Sequence, residues 1–212
     1  MHGFTQTPAS WGTIADALDA VAVEAPRRPL WEAADELARH GRGAWIGYSM
    51  GGRMALHLAL AHPDVVERLV LVSATAGIDD PEARAARAAS DEELARRAEE
   101  IGADAMVAEW VAQPMFAGLP MLPRSDDVAT IAAHLRLAGT GRQDALWDRL
   151  AELTMPVLVV VGERDAKFTA LGKRMAAAIP GAELTVIPDA GHAAPFERPD
   201  AFVDVVRRWR DH

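Results

Sequence analysis

Apolar residues along this chain gather into short runs separated by longer stretches with a helical period. Leu69-Val70-Leu71-Val72 and Pro156-Val157-Leu158-Val159-Val160-Val161 are continuous, rich in β-branched residues and bounded by polar positions. That is the pattern of strands buried on both faces. Ala44-Trp45-Ile46-Gly47-Tyr48 and Glu183-Leu184-Thr185-Val186-Ile187 are weaker versions, and Ala20-Val21-Ala22-Val23-Glu24 is a fifth candidate. Between these runs the spacing predicts helices at about 30–40, 50–62, 168–179 and 199–210. Strands alternating with helices imply a mostly parallel sheet covered by helices on both faces.

The stretch from about 76 to 150 breaks this rhythm and offers no convincing strand. Asp80-Pro81 predicts a helix start with proline in the first turn. Ser90-Asp91-Glu92-Glu93 predicts, as a capping box, the start of a second helix. Gly102, Pro114, Gly118, Pro120 and Pro123 punctuate the residues beyond it. The whole stretch reads as a helical cap inserted over the sheet. One domain is expected, with residues 1–75 and 151–212 as core and 76–150 as cap.

Composition narrows the function. The 212 residues are half hydrophobic, enough for one folded domain with a core. No apolar run approaches the roughly 18 residues of a membrane-crossing helix. Met1-His2-Gly3-Phe4-Thr5 lacks the basic and apolar regions of a signal peptide, so the cytoplasm is the expected location. Without cysteine there is no disulfide, no thiolate metal site and no cysteine nucleophile. A net charge of −9 argues against nucleic acid or an anionic membrane as main partner. It leaves room for an anionic small molecule, because a site responds to its local field. His57 and His62 miss the i, i+4 spacing of a helical zinc pair and read as helix-surface residues. No metal and no organic cofactor is expected.

The chemistry concentrates in three places. Gly47-Tyr48-Ser49-Met50-Gly51 matches G-x-S-x-G between a strand and the helix that opens near Arg53. So tight a turn strains its central residue and leaves no room for bulk at its flanks, hence the glycines. A phosphate-binding loop is the bland alternative, but the G-K-[ST] it needs is absent. A serine hydroxyl needs a base to take its proton. His192 follows the last strand in Asp189-Ala190-Gly191-His192, and Asp165 follows the preceding strand in Gly162-Glu163-Arg164-Asp165. Ser49, Asp165 and His192 thus sit at carboxyl ends of strands, in the chain order of α/β-hydrolase sites. An oxyanion hole is expected from the backbone N–H of Met50 and of Phe4.

His2-Gly3-Phe4-Thr5, Gly47-Tyr48-Ser49-Met50-Gly51-Gly52-Arg53, Asp165-Ala166-Lys167-Phe168 and Ala190-Gly191-His192 together resemble the α/β-hydrolase superfamily. More closely they resemble its menaquinone-pathway branch, the 2-succinyl-6-hydroxy-2,4-cyclohexadiene-1-carboxylate synthases. Further matches are Ala85-Ala86-Arg87, Trp110 with Gln113-Pro114-Met115-Phe116, and Arg124-Ser125. The resemblance implies a Ser-His-Asp triad that takes a proton and eliminates pyruvate rather than hydrolysing an ester. It also implies a pocket lined by Tyr48, Arg53, Arg87, Trp110 and Arg124. Arginine forks suit a substrate with several carboxylates. Two departures stand out. The strand that normally precedes H-G-F is not among the residues before His2, which predicts missing N-terminal strands and a gap beside the elbow strand. The usual G-H-G stretch is absent as well, so that Val23-Glu24-Ala25-Pro26 runs almost directly into Pro29-Leu30-Trp31. A carboxylester hydrolase on the same triad and a catalytically silent binding protein are the alternative functions.

Overall fold

The two strongest apolar runs lie side by side at the centre of a parallel sheet in the computed structural model, which describes residues 1–211. Strands β1 (Gly43–Tyr48), β2 (Val66–Val72), β3 (Val157–Gly162) and β4 (Glu183–Ile187) pair in that order, all parallel. Side-chain alternation explains why the central runs are apolar throughout. Leu69, Leu71, Val157, Val159 and Val161 share one core cluster, while Val70, Val72, Leu158 and Val160 share the other.

Helices cover both faces. On the first lie α2 (Leu30–Leu37), α3 (Met50–Ala61) and α7 (Ala166–Ala178), through Leu37, Leu56, Leu58 and Met175. On the second lie α1 (Gly12–Ala17), the short α8 (Ala194–Glu197) and α9 (Pro199–Arg210), through Ile14, Phe196, Phe202 and Val206. No helix among the described residues is long and apolar enough to cross a membrane.

The chain between β2 and β3 holds α4 (Pro81–Ile101), α5 (Ala103–Val111) and α6 (Val128–Ala138), with a small core of their own around Ala95, Met106, Ile131 and Leu135. Asp80 caps α4 by accepting from Glu82 N–H at 2.9 Å. The capping box expected at Ser90 is not formed, and Ser90 lies inside one uninterrupted helix. Alanine, arginine and glutamate around it favour continuation. Asp91 finds other partners, accepting from Arg87 Nε at 2.7 Å and from Gly141 N–H at 3.1 Å. The helix stops instead at Gly102, whose φ of 83° few other residues adopt.

Ala20–Glu24 does not form the fifth strand, and the segment is irregular, with Val21 88% exposed. β-Branched residues need a ladder to join. Among the described residues, Met1 bonds the outer edge of β1, donating to Ile46 O at 2.6 Å and accepting from Tyr48 N–H at 3.1 Å. No further strand lies beyond it among the described residues.

Close backbone approach at the carboxyl end of the sheet is a stability constraint. A Cβ on Gly162 would collide with the carbonyl oxygens of Gly191 and Ala190, whereas one on Gly43 would meet open space. Gly162→Ala should therefore destabilise by about 1–3 kcal/mol, lowering the melting temperature by about 5 °C. Gly43→Ala should leave the melting curve nearly unchanged. Equal melting of the two variants would refute this packing argument.

Candidate active site

Ser49 is the only residue between β1 and α3, and its φ of 53° with ψ of −110° is a strained conformation for a non-glycine residue. Surrounding hydrogen bonds hold it there. Ser49 N–H donates to Val72 O at 2.8 Å, and Arg53 N–H donates to Ser49 O at 3.1 Å. The flanking glycines let the backbones touch. A Cβ on Gly47 would strike the backbone of Gly51, and one on Gly51 would lie 2.5 Å from His2 O.

The last two strands, β3 and β4, deliver the partners. Asp165 caps α7, its Oδ1 accepting from Phe168 N–H at 3.1 Å. Its Oδ2 accepts from His192 Nδ1–H at 2.7 Å. That bond leaves Nε2 as the acceptor, 3.1 Å from Ser49 Oγ. Burial disfavours the Asp165 carboxylate, but hydrogen bonds from His192 and Phe168 outweigh it and hold its pKa below the ordinary value. The His192 side chain is only 2% exposed. The rings of Phe168, Tyr48 and Phe116 enclose it at 4.4, 5.6 and 5.7 Å between centroids. A hydroxyl bonded to an imidazole, itself bonded to a carboxylate, can pass its proton to Nε2 while the carboxylate stabilises the imidazolium.

Ser49 and His192 open into a cavity of about 600 Å³. Met50 lines it as the first residue of α3, where its N–H has no carbonyl one turn earlier to bond. Phe4 lines it from the other side, edge-on to Trp110 at 4.8 Å. The peptide between Gly3 and Phe4 is pinned through its carbonyl, which accepts from His2 Nδ1–H at 2.9 Å and from Gln6 N–H at 3.2 Å. Peptide planarity then fixes the direction of the Phe4 N–H.

All five residues expected to line a substrate pocket reach this cavity: Tyr48, Arg53, Arg87, Trp110 and Arg124. Arg53 donates to Ala138 O at 2.6 Å, and burial lowers its pKa to about 10. Arg124 donates to Thr5 Oγ1 at 2.8 Å and is likewise lowered by burial. Arg87 differs, because the Asp91 carboxylate offsets its charge. Burial pushes the Tyr48 phenol well above its ordinary pKa, so it stays neutral.

Several groups at the site escape sequence reasoning. Gln6 braces the Phe4 turn, its Oε1 accepting from Gly3 N–H at 2.9 Å. Ser73 lines the cavity with a φ of 46°, and its buried hydroxyl has no partner among the described residues. Lys167 and His134 also line it. Glu197 lies behind His192, and its one sequence signal is an acid closing the otherwise uncharged run Ala193-Ala194-Pro195-Phe196. His57 corrects the surface reading. It is fully buried, edge-on to Trp31 at 4.5 Å, and donates from Nδ1 to Arg53 O at 2.7 Å. Burial lowers its pKa to about 4. His62 does lie near the surface and bonds Asp35 at 2.8 Å.

Comparison with known proteins places this arrangement. A protein of Bacillus subtilis with a provisional assignment as 2-succinyl-6-hydroxy-2,4-cyclohexadiene-1-carboxylate synthase is 31% identical, over 99% of this chain and 88% of its own length. The synthase of that name from Klebsiella pneumoniae is 34% identical over 74% of this chain and 64% of its own length. Among solved structures, MenH from S. aureus superposes with a TM-score of 0.93 at 26% identity, covering 100% of this chain and 91% of that one. A thermophilic esterase from Thermogutta terrifontis, with malate bound, gives 0.83 at 25% identity, covering 99% and 87%. The model of the alpha/beta hydrolase family matches residues 1–205, and the chain belongs to that family of enzymes.

Proposed function

We propose that the chain is a 2-succinyl-6-hydroxy-2,4-cyclohexadiene-1-carboxylate synthase, acting on an anionic small molecule and releasing pyruvate. One observation carries this reading beyond the family. Arg53 and Arg124 share a single cavity with Ser49 and His192, and neither has a carboxylate partner among the described residues. A buried cation without a counter-ion is unfavourable, and a substrate with several carboxylates removes that cost. The similarity to named synthases supports the same assignment.

In this reading His192 takes the Ser49 proton, and Ser49 Oγ takes a proton from a substrate carbon. The electron pair left behind expels a three-carbon group by breaking its C–O bond. That group recovers a proton from the Ser49–His192 pair and leaves as pyruvate. Asp165 keeps the imidazole in the right tautomer and stabilises its charged form. The N–H groups of Met50 and Phe4 donate to the oxygen on which negative charge collects. Arg53, Arg87 and Arg124 hold carboxylates, Tyr48 and Trp110 form walls, and residues 76–150 act as the cap. The same relay suits ester hydrolysis, the activity named for the Thermogutta protein. An apolar ester, however, gives the arginines of the cavity no purpose.

The wild-type protein should release pyruvate from the pathway intermediate. Ser49→Ala and His192→Ala should each lower kcat about a thousandfold or more, and Asp165→Asn should cost less. Ser49→Ala retaining a tenth of the activity would remove that residue from the mechanism.

The arginines separate elimination from ester cleavage. Arg53→Ala and Arg124→Ala should each weaken the anionic substrate by about 1.5–3 kcal/mol, roughly tenfold or more in kcat/KM. Hydrolysis of p-nitrophenyl acetate should barely change in either variant. Equal losses on both substrates would favour the esterase.

A further inference from the structure

Glu197 closes α8 five residues after His192, and its side chain is only 2% exposed. Its two oxygens bracket the histidine. Oε2 accepts from Gly191 N–H at 2.9 Å, and Oε1 accepts from Ala193 N–H at 3.2 Å. Both neighbours of His192 along the backbone are thus tied to one carboxylate. Oε2 also accepts from Arg164 Nη2 at 2.9 Å. Arg164 immediately precedes Asp165, and its backbone N–H donates to Ala190 O at 2.8 Å. The ion pair therefore joins the loop that carries the acid to the loop that carries the base. Gly118 seats the intervening 76–150 segment directly on this pair, since any Cβ there would collide with Glu197 Oε2. The same segment brings Phe116 against the His192 ring.

We propose that Glu197 is a positioning residue for His192, and that its ion pair with Arg164 sets the distance between the acid and base loops. The proposal rests on the relay through Ser49, His192 and Asp165. The loop needs such a brace. It is short, Asp189 adopts a positive φ of 53°, and the part-buried N–H groups of Gly191 and Ala193 would otherwise lose their protein partner. Charge-assisted bonds from both sides are stiff, so the imidazole keeps one position relative to Ser49 Oγ. A role in folding alone makes a different prediction. It would lower the fraction of folded protein without changing how fast each folded molecule reacts.

A fluorophosphonate probe separates the two, because it reports Ser49 reactivity without the natural substrate. Ser49 Oγ attacks phosphorus, fluoride leaves, and His192 accepts the proton. The final amplitude counts folded sites, and the rate constant reports alignment of the base. Glu197→Gln keeps the shape but presents an NH2 to one of the two backbone donors. Its labelling rate constant should fall about tenfold or more at near wild-type amplitude, the scale of loss expected when a reacting group is misplaced. Arg164→Ala, altered on the exposed side, should slow labelling by a smaller factor, about threefold, and Arg164→Lys should recover most of it. Arg164→Ala also serves if Glu197→Gln does not fold. Unchanged rate constants, with or without lost amplitude, would overturn the clamp while leaving the relay intact. Failure of the wild-type protein to label at Ser49 would instead overturn the relay reading itself.

Discussion

Backbone touching backbone at the end of β1 is the constraint on which the site depends. Ser49 holds its strained φ because β1, α3 and the segment at Met1-His2 meet with no side chain between them. Gly47 faces the Gly51 carbonyl, Gly51 faces His2 O, and Gly52 lies against Ala74. Gly51 N–H also donates to His2 O at 3.1 Å, so the turn carrying Ser49 and the turn carrying Phe4 share a hydrogen bond. Strain of this kind persists only where surrounding structure over-determines it. Here three elements do so at once. The hydroxyl and the two expected oxyanion donors, Met50 and Phe4, are therefore placed by one packing event.

The sheet extends that order to the other partners. Parallel pairing puts Tyr48, Val72, Gly162 and Ile187 along one edge, and the chain leaves each strand there into a loop. Ser49, Ser73, Asp165 and His192 lie in those loops, which explains how residues far apart in sequence converge. The close approach of Gly162 to Gly191 O brings the last two loops together, and the Arg164–Glu197 pair fastens them. Phe4 then joins the sheet to the helices above it, since its ring packs on Trp110 of α5. The hydrophobic core thus supplies position, and the short loops supply chemistry.

How much the sequence reveals depends on how local the cause is. β3 and the Leu69–Val72 part of β2 are legible because burial on both faces leaves no polar position there, whereas Glu67 and Arg68 lie at the less buried start of β2. Ser49, Asp165 and His192 are legible because each stands beside a strand end with its own glycine or turn signal. Ala20–Glu24 misleads because a β-branched run becomes a strand only beside a partner, and no local pattern reports that. Ser90 misleads because Asp91 satisfies its carboxylate against Arg87 and Gly141 instead of a helix start. His57 is polar, yet Trp31 and a carbonyl in its own helix make burial tolerable. Gln6 and Glu197 brace the two turns that matter most. Both accept from backbone N–H groups, which leave no trace in side-chain patterns, and Arg164, the side-chain partner of Glu197, lies far away in sequence.

Charge shows the same division between the whole chain and the site. A net charge of −9 would repel an anionic ligand at long range, but salt screens exposed charges beyond about 8 Å at physiological ionic strength. Several acidic residues also spend their charge locally: Glu92 and Glu99 on Arg136, Glu109 on Arg97, Glu152 on Arg149. Inside the cavity the balance reverses. Arg53 is buried and Arg124 half-buried, each with only a neutral oxygen as hydrogen-bond partner among the described residues, and burial lowers both pKa values, that of Arg53 to about 10. They remain cations in a region of low dielectric, where an incoming carboxylate interacts more strongly than it would in water. The fold itself holds this unfavourable charge in place. A ligand that neutralises it therefore gains affinity at the spot where Ser49 and His192 wait. An overall acidic chain can in this way select an acidic substrate, because the field that matters is the one the cavity walls enclose.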